Sequence, residues 1–246
     1  MAGQKLGQHF LHDRNILEQI ARAACPSPEP LVIEIGPGRG ALTEFLQARA
    51  ERTVAIELDA GLAAQLRARF PRVEVVQGDV LDTGLGQWGP AVVAGNLPYY
   101  ITSPILERVC ALGPMLRRAV LLMQREVAER LVAAPGRRDY GFLTVATQLF
   151  TTPELLFRVP PGAFSPPPKV DSAAVRLTPH PPQVADTKGF LEFAGRCFQH
   201  KRKTLRNNLL PFYGRAVEAW PEAALRAEQL SPDDLARLFL DRRQSP

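Results

Sequence analysis

A chain of 246 residues, 46% hydrophobic and 22% charged, can bury a sizeable core in one large or two smaller domains, which excludes an intrinsically disordered protein. Its formal charge of +5 and pI near 9.4 suit a polyanionic partner. Three widely spaced cysteines, Cys25, Cys110 and Cys197, form no C-x-x-C pair; this excludes a disulfide framework or a cysteine-rich zinc site and points to a reducing compartment. With no secretory leader and no apolar run of membrane-spanning length, a cytoplasmic protein with no membrane association is expected.

The opening, Gly3 to Asp13, is polar with isolated apolar residues, and Asp13 is placed to cap a helix from Arg14 to about Ala24. Pro26-Ser-Pro-Glu-Pro30 ends that helix. Leu31-Val-Ile-Glu-Ile35 then reads as a buried strand running into Gly36-Pro-Gly-Arg-Gly40 and an amphipathic segment from Ala41 to about Arg49. A strand, a glycine-rich turn and a helix begin a nucleotide-binding βαβ unit. The second strand, Thr53–Ile56, runs into Glu57, 21 residues beyond Gly36, where a carboxylate can accept hydrogen bonds from ribose hydroxyls. A third strand, Val73–Val76, leads into Gly78-Asp79, and a fourth, from Ala91, stops at Asn96-Leu-Pro-Tyr99.

The polar residues Glu57, Asp79 and Asn96 therefore fall at strand termini along one sheet edge, where ligands of open α/β sheets bind. The glycine pattern discriminates between cofactors. A dinucleotide site favours G-x-G-x-x-G, whereas here Glu34 stands inside the strand ahead of Gly36, Gly38 and Gly40. A carboxylate there disfavours a phosphate and tolerates an ammonium or sulfonium, so S-adenosyl-L-methionine is expected rather than NAD. Asp79 would accept from the cofactor's adenine amino group. Asn96 to Tyr99 suit a second planar base with an exocyclic amino group: the Asn96 amide oxygen and the Leu97 carbonyl accept its N–H hydrogens, Pro98 fixes the backbone and the Tyr99 ring stacks.

Further on, a helix from Ser103 to about Leu112, a strand from Ala119 to Met123 and a charged helix from Gln124 to Ala134 are expected. The basic loop Pro135–Asp139 reads either as a solvated turn or as an RNA-backbone contact. A helix from Gly141 to Phe150 follows. Two last strands, Glu154–Val159 and Ser172–Leu177, flank a proline-rich loop that would hold Phe164 either in the core or as a second wall against a flipped base. Pro179–Asp186 reads as a linker. Beyond it, apolar residues at helical spacing (Phe190, Phe193, Phe198, Leu235, Phe239) indicate a small all-helical unit. Within that unit Lys201, Arg202, Lys203 and Arg206 form a basic run able to grip phosphates.

With those residues placed, the chain resembles the small-subunit (16S) rRNA adenine N6,N6-dimethyltransferases over nearly its whole length. The resemblance is carried by Gly7-Gln-His-Phe-Leu11, Glu34-Ile-Gly-Pro-Gly38, Ile56-Glu-Leu-Asp59, Gly78-Asp79, Asn96-Leu-Pro-Tyr99, Gln124–Arg130, Phe164–Ser172 and Lys201–Asn207. It implies a Rossmann-like class I methyltransferase sheet of seven mostly parallel strands over residues 1–180 and a helical RNA-contacting domain over 181–246. It further implies S-adenosyl-L-methionine contacts from His9, Leu11, Gly36, Glu57, Asp79 and Asn96, with Tyr99 and Phe164 facing the target adenine. Relatives commonly carry Asn where this chain has His9.

The implied reaction gives N6,N6-dimethyladenosine at two adjacent adenines of the 3′-terminal hairpin of 16S rRNA, with the immature small ribosomal subunit as partner and a monomeric enzyme. Two alternatives remain open: a 23S rRNA adenine N6-methyltransferase of the macrolide-resistance type, and a non-catalytic RNA-binding assembly factor. The residues offer neither a nucleophile–base pair nor metal-ligand spacing, so no metal is expected.

Overall fold

The computed structural model describes residues 9–243; Gly7 and Gln8 of the first motif lie outside the described residues. In chain order the elements are β1 (Phe10–Leu11), α1 (Arg14–Ala24), β2 (Glu29–Ile35), α2 (Ala41–Leu46), β3 (Ala50–Glu57), α3 (Ala60–Arg69), β4 (Glu74–Gln77), β5 (Ala91–Asn96), α4 (Thr102–Cys110), β6 (Leu116–Gln124), α5 (Arg125–Leu131), α6 (Phe142–Gln148), β7 (Thr151–Val159), β8 (Phe164–Ser165), β9 (Ser172–Pro179), α7 (Thr187–Cys197), α8 (Leu205–Tyr213) and α9 (Pro232–Arg243). Asp13 caps α1 by accepting from the backbone N–H groups of Asn15 (3.0 Å) and Ile16 (3.1 Å).

Seven strands form one sheet in the order β4-β3-β2-β5-β6-β9-β7. The β4-β3-β2-β5-β6 run is parallel, and β9 inserts antiparallel to both β6 and β7. Interior parallel strands are covered on both faces, so they are apolar throughout. Accordingly β5 is buried from Ala91 to Gly95, and β2 from Leu31 to Ile35 even at Glu34. Pro153, which cannot donate a ladder hydrogen bond, lies on the edge strand β7.

At Gly95 the backbone of β5 lies too close to β2 to admit a side chain. Gly95 pairs with Ile35, and a Cβ there would sit 2.5 Å from the Ile35 carbonyl oxygen. The missing side chain lets β5 lie against β2 up to its last residue.

Two compact units share the chain. One comprises Met1–Ala128 and Thr151–His180; the other comprises Glu129–Phe150 and Pro181–Pro246. The helical unit is thus larger than the 181–246 span expected from the linker, because Glu129–Phe150 packs with the later helices. Its fully buried Tyr140 donates a hydrogen bond to the Leu230 carbonyl (2.8 Å) and joins a core with Phe190, Phe193 and Phe239. No helix of the described residues is long and apolar enough to cross a membrane.

Candidate active site

Four strands of the sheet deliver their C-terminal ends to one cavity of about 250 Å³. The turn after β2 reverses on Gly36, Gly38 and Gly40, at φ of +65°, +56° and +79°, which L side chains rarely adopt. Glu57, at the end of β3, closes this turn: its Oε2 accepts from the Gly38 N–H and its Oε1 from the Asp59 N–H, both at 2.9 Å. Each carboxylate oxygen has a second lone pair for a ligand hydroxyl. After β4, Asp79 Oδ1 accepts from the Leu81 N–H at 2.8 Å.

The floor carries a buried charge problem. Glu34 is 1% exposed, and desolvation pushes its carboxyl up to about 8. A 2.6 Å hydrogen bond from Thr43 Oγ1 opposes this shift, and the charge of Glu57 adds to it. A cation in the cavity would relieve the cost of ionising Glu34.

The acceptor side is built from β5 and the segment beginning at His9. Leu97 donates its N–H to the Leu122 carbonyl (2.9 Å), so the strand end continues in register beside β6. Asn96 Nδ2 donates to the His9 carbonyl at 2.9 Å, which fixes the orientation of the amide. Its Oδ1 is buried with no hydrogen-bond partner among the described residues, an arrangement that costs free energy unless a donor reaches it. The His9 ring is stacked on Tyr99, with centroids 5.6 Å apart and planes 29° apart, and its Nδ1 is 2.8 Å from the Pro166 carbonyl. The Tyr99 hydroxyl is 2.6 Å from Oγ of the fully buried Ser172, at the start of β9. Burial holds the Tyr99 phenol above its ordinary value against the opposing effect of that hydrogen bond, so the ring is neutral.

The cavity is lined by His9, Leu11, Gly36, Glu57, Asp79 and Asn96, and also by Leu97, Pro98 and Tyr99. Phe164 does not line it. Its side chain is 2% exposed within the apolar cluster that includes Leu11 and Leu17, because β8 pairs antiparallel with β1 and sets Phe164 opposite Leu11. In this structure Phe164 backs the His9–Leu11 segment rather than forming a second wall.

Two contributors were not anticipated. Phe10 lies against Gly38, where a Cβ would come within 2.9 Å of its ring, and the Arg39 guanidinium stacks 4.5 Å above that ring. Ser172 ends the Phe164–Ser172 motif and begins the expected Ser172–Leu177 strand, and neither places its hydroxyl against Tyr99. No pattern local to either residue announces these roles, since both contacts are made across the fold. Lys201, Arg202, Lys203 and Arg206 are all exposed in the helical unit, and Arg206 is paired with Glu218 at 2.8 Å.

This cavity fits S-adenosyl-L-methionine: the two oxygens of the Glu57 carboxylate for hydroxyls, a second carboxylate, Asp79, at the next strand end, a buried acid that favours a cation and a glycine turn admitting close backbone approach. Among the described residues no His, Cys, Asp and Glu cluster is arranged to hold a metal ion.

Comparison with known proteins gives a consistent picture. The model of the "Ribosomal RNA adenine dimethylase" family matches residues 2–241. "Ribosomal RNA small subunit methyltransferase A" of Chlorobium chlorochromatii is 43% identical over 243 residues, covering 97% of this chain and 92% of the relative. The protein of the same name from Acidobacterium capsulatum is 44% identical over 252 residues, covering 96% and 89%. Among solved structures, a dimethyladenosine transferase from Plasmodium falciparum superposes with a TM-score of 0.83 at 26% identity, covering 96% of this chain and 98% of that one. The 23S rRNA methyltransferase ErmE superposes at 0.74 with 32% identity, covering 96% and 100%. The seven-stranded sheet is that of a class I methyltransferase, and the chain belongs to the ribosomal RNA adenine dimethylase family.

Proposed function

We propose that this protein transfers methyl groups from S-adenosyl-L-methionine to N6 of two adjacent adenines in the 3′-terminal hairpin of 16S rRNA, acting as a cytoplasmic monomer on the immature small ribosomal subunit. One observation carries the reading: Asn96 Oδ1 is a buried acceptor with no donor among the described residues, its amide oriented by the His9 carbonyl, in a cavity it shares with Glu57 and Asp79. Small-subunit relatives at 41–44% identity favour the 16S substrate over the 23S one. Deleting the gene and mapping dimethyladenosine decides between them: loss from 16S rRNA supports the proposal, and loss from 23S rRNA assigns the other substrate.

The cofactor supplies an electrophilic methyl group on its sulfonium. The chain's residues prepare the nucleophile. The N6 lone pair of adenine is delocalised into the ring, so the amino group is a poor nucleophile. Asn96 Oδ1 and the Leu97 carbonyl accept its N–H hydrogens, favouring a pyramidal nitrogen and stabilising the positive charge that develops there. Tyr99 supports the face of the base, and holding both reactants in place contributes on the order of 7–11 kcal/mol. No side-chain base is required, because the alkylated nitrogen is strongly acidic. After the first transfer one N–H remains for Asn96 to hold, so the pocket readmits the monomethylated base.

Glu34 gives this scheme a pH signature. Its raised pKa means the cofactor-free protein holds a proton there at neutral pH, and the cost of ionising it grows as pH rises from about 4.5 to about 8. The cofactor-free protein therefore loses stability across that window, and Glu34→Gln removes this part of the loss. A cationic ligand favours the ionised form, so cofactor binding at pH 7 releases a proton. Calorimetric titration in buffers of different ionisation enthalpy should show that release in wild type and none in Glu34→Gln; equal release in both contradicts the assignment.

RNA affinity draws on the helical unit. Lys201 Nζ donates to the Arg138 carbonyl, which brings the 201–203 turn beside the basic loop Pro135–Asp139. Arg137 and Arg138 are exposed, as are Lys201, Arg202 and Lys203, so this one surface carries five cations. Changing Lys201, Arg202 and Lys203 together to Ala should weaken RNA binding and lower the slope of log K against log salt by about 2–3. An unchanged slope would make the turn a solvated helix connection.

A further inference from the structure

Tyr100 is 57% exposed, the most open of the large apolar residues described, yet it lines the same cavity as Asn96 and Tyr99. Its side chain has no ring, cation or hydrogen-bond partner among the described residues. A single exposed aromatic is ordinary on a protein surface. This one differs in having a fixed backbone. It stands in the 3₁₀ turn Tyr99–Ile101, closed by the Ile101 N–H to the Pro98 carbonyl (3.2 Å). The buried Thr102 hydroxyl ties the turn a second time, to the carbonyls of Pro98 (3.2 Å) and Tyr99 (3.4 Å).

Successive side chains on a 3₁₀ turn point about 120° apart. Tyr99 is turned inward to Ser172, so Tyr100 is directed away from it, to the mouth of the cavity. A nucleotide chain with one base inserted beside Tyr99 must pass that mouth, and the base next to the inserted one loses its stacking neighbour there. A flat aromatic ring on a rigid turn replaces that neighbour without reading sequence.

Resting on the rRNA adenine reading above, we propose that Tyr100 is the stacking platform for the nucleobase flanking the target adenine. With two adjacent adenines as targets, the flanking base is the second adenine during one of the two rounds. The site takes any purine or pyrimidine face, and the phenol hydroxyl stays in solvent.

Steady-state methylation of unmethylated immature small subunits by wild type and by Tyr100→Ala, Tyr100→Leu and Tyr100→Phe tests this. In Tyr100→Ala the KM for subunits should rise about 5–150-fold, the equivalent of ~1–3 kcal/mol of stacking. The loss should appear in KM and not in kcat or in the dissociation constant for S-adenosyl-L-methionine. Phe should restore wild-type KM, and Leu, which keeps apolar bulk without a flat face, should not. Subunits carrying a ligated synthetic 3′ segment with an abasic nucleotide on either side of the target should cost wild type a similar factor at one position and cost Tyr100→Ala nothing further there. An unchanged KM in Tyr100→Ala, or rescue by Leu, overturns the platform. So do additive losses at both positions. Absence of methylation by wild type instead overturns the rRNA reading and, with it, this inference.

Discussion

Asn96→Ala is expected to lower kcat for methyl transfer by about 10²–10³-fold or more, the cost of removing one preorganised acceptor aimed at developing charge. The dissociation constant for S-adenosyl-L-methionine should change only modestly, because the Glu57 and Asp79 carboxylates and the glycine turn are untouched. Asn96→Asp separates the two functions of the amide. It keeps an acceptor oxygen but replaces the Nδ2 donor with a second oxygen facing the His9 carbonyl, 2.9 Å from the present nitrogen. The aspartate variant should therefore also be impaired, through a displaced carboxylate and a loosened His9 segment. Single-turnover rates with saturating cofactor measure both effects, and full activity in Asn96→Ala would refute the mechanism.

Gly95→Ala is the second large effect, and it acts on the fold before the chemistry. The added Cβ would be 2.5 Å from the Ile35 carbonyl oxygen and 3.3 Å from the Ile35 carbonyl carbon and Cβ. These are mostly backbone atoms of a central strand, so neither partner yields without opening the β2–β5 ladder. A cost of about 1–3 kcal/mol is expected for such overpacking, seen as a lower melting temperature. Because Asn96 is the next residue, the same displacement should reduce methylation by more than the lost stability explains. A variant as stable and active as wild type would show that the strands separate here without penalty.

How much of this the sequence discloses depends on the range of the interaction. Buried parallel strands announce themselves as short apolar runs, and the polar residue that ends each run marks the ligand edge. Glu57, Asp79 and Asn96 are legible on that basis, and the Asp13 cap is legible as a capping residue just ahead of a helical segment. Phe164 shows the limit: the prolines around it indicate a stiff loop but carry no information on which way the ring turns. Its direction is set by two-residue pairing with Phe10 and Leu11, more than 150 residues earlier. The His9 carbonyl on Asn96 and the Ser172 hydroxyl on Tyr99 are likewise contacts of long sequence separation.

The division into units has the same cause. The proline-rich stretch near residue 180 is visible as a change in composition, whereas an amphipathic helix such as α6 has one apolar stripe whichever core it covers. That α6 joins the later helices follows from its Val145, buried in one core cluster with Phe190, Phe193 and Phe239.

One cavity at this sheet edge is proposed to hold S-adenosyl-L-methionine against N6 of an rRNA adenine. Incubating the purified protein with methyl-labelled cofactor and immature small subunits from an unmethylated strain, then digesting the RNA to nucleosides, tests it most directly. The predicted result is label in N6,N6-dimethyladenosine at two adjacent positions near the 3′ end of 16S rRNA, abolished by Asn96→Ala. Label confined to nucleosides other than N6-methylated adenosine, or none in 16S rRNA, would contradict it.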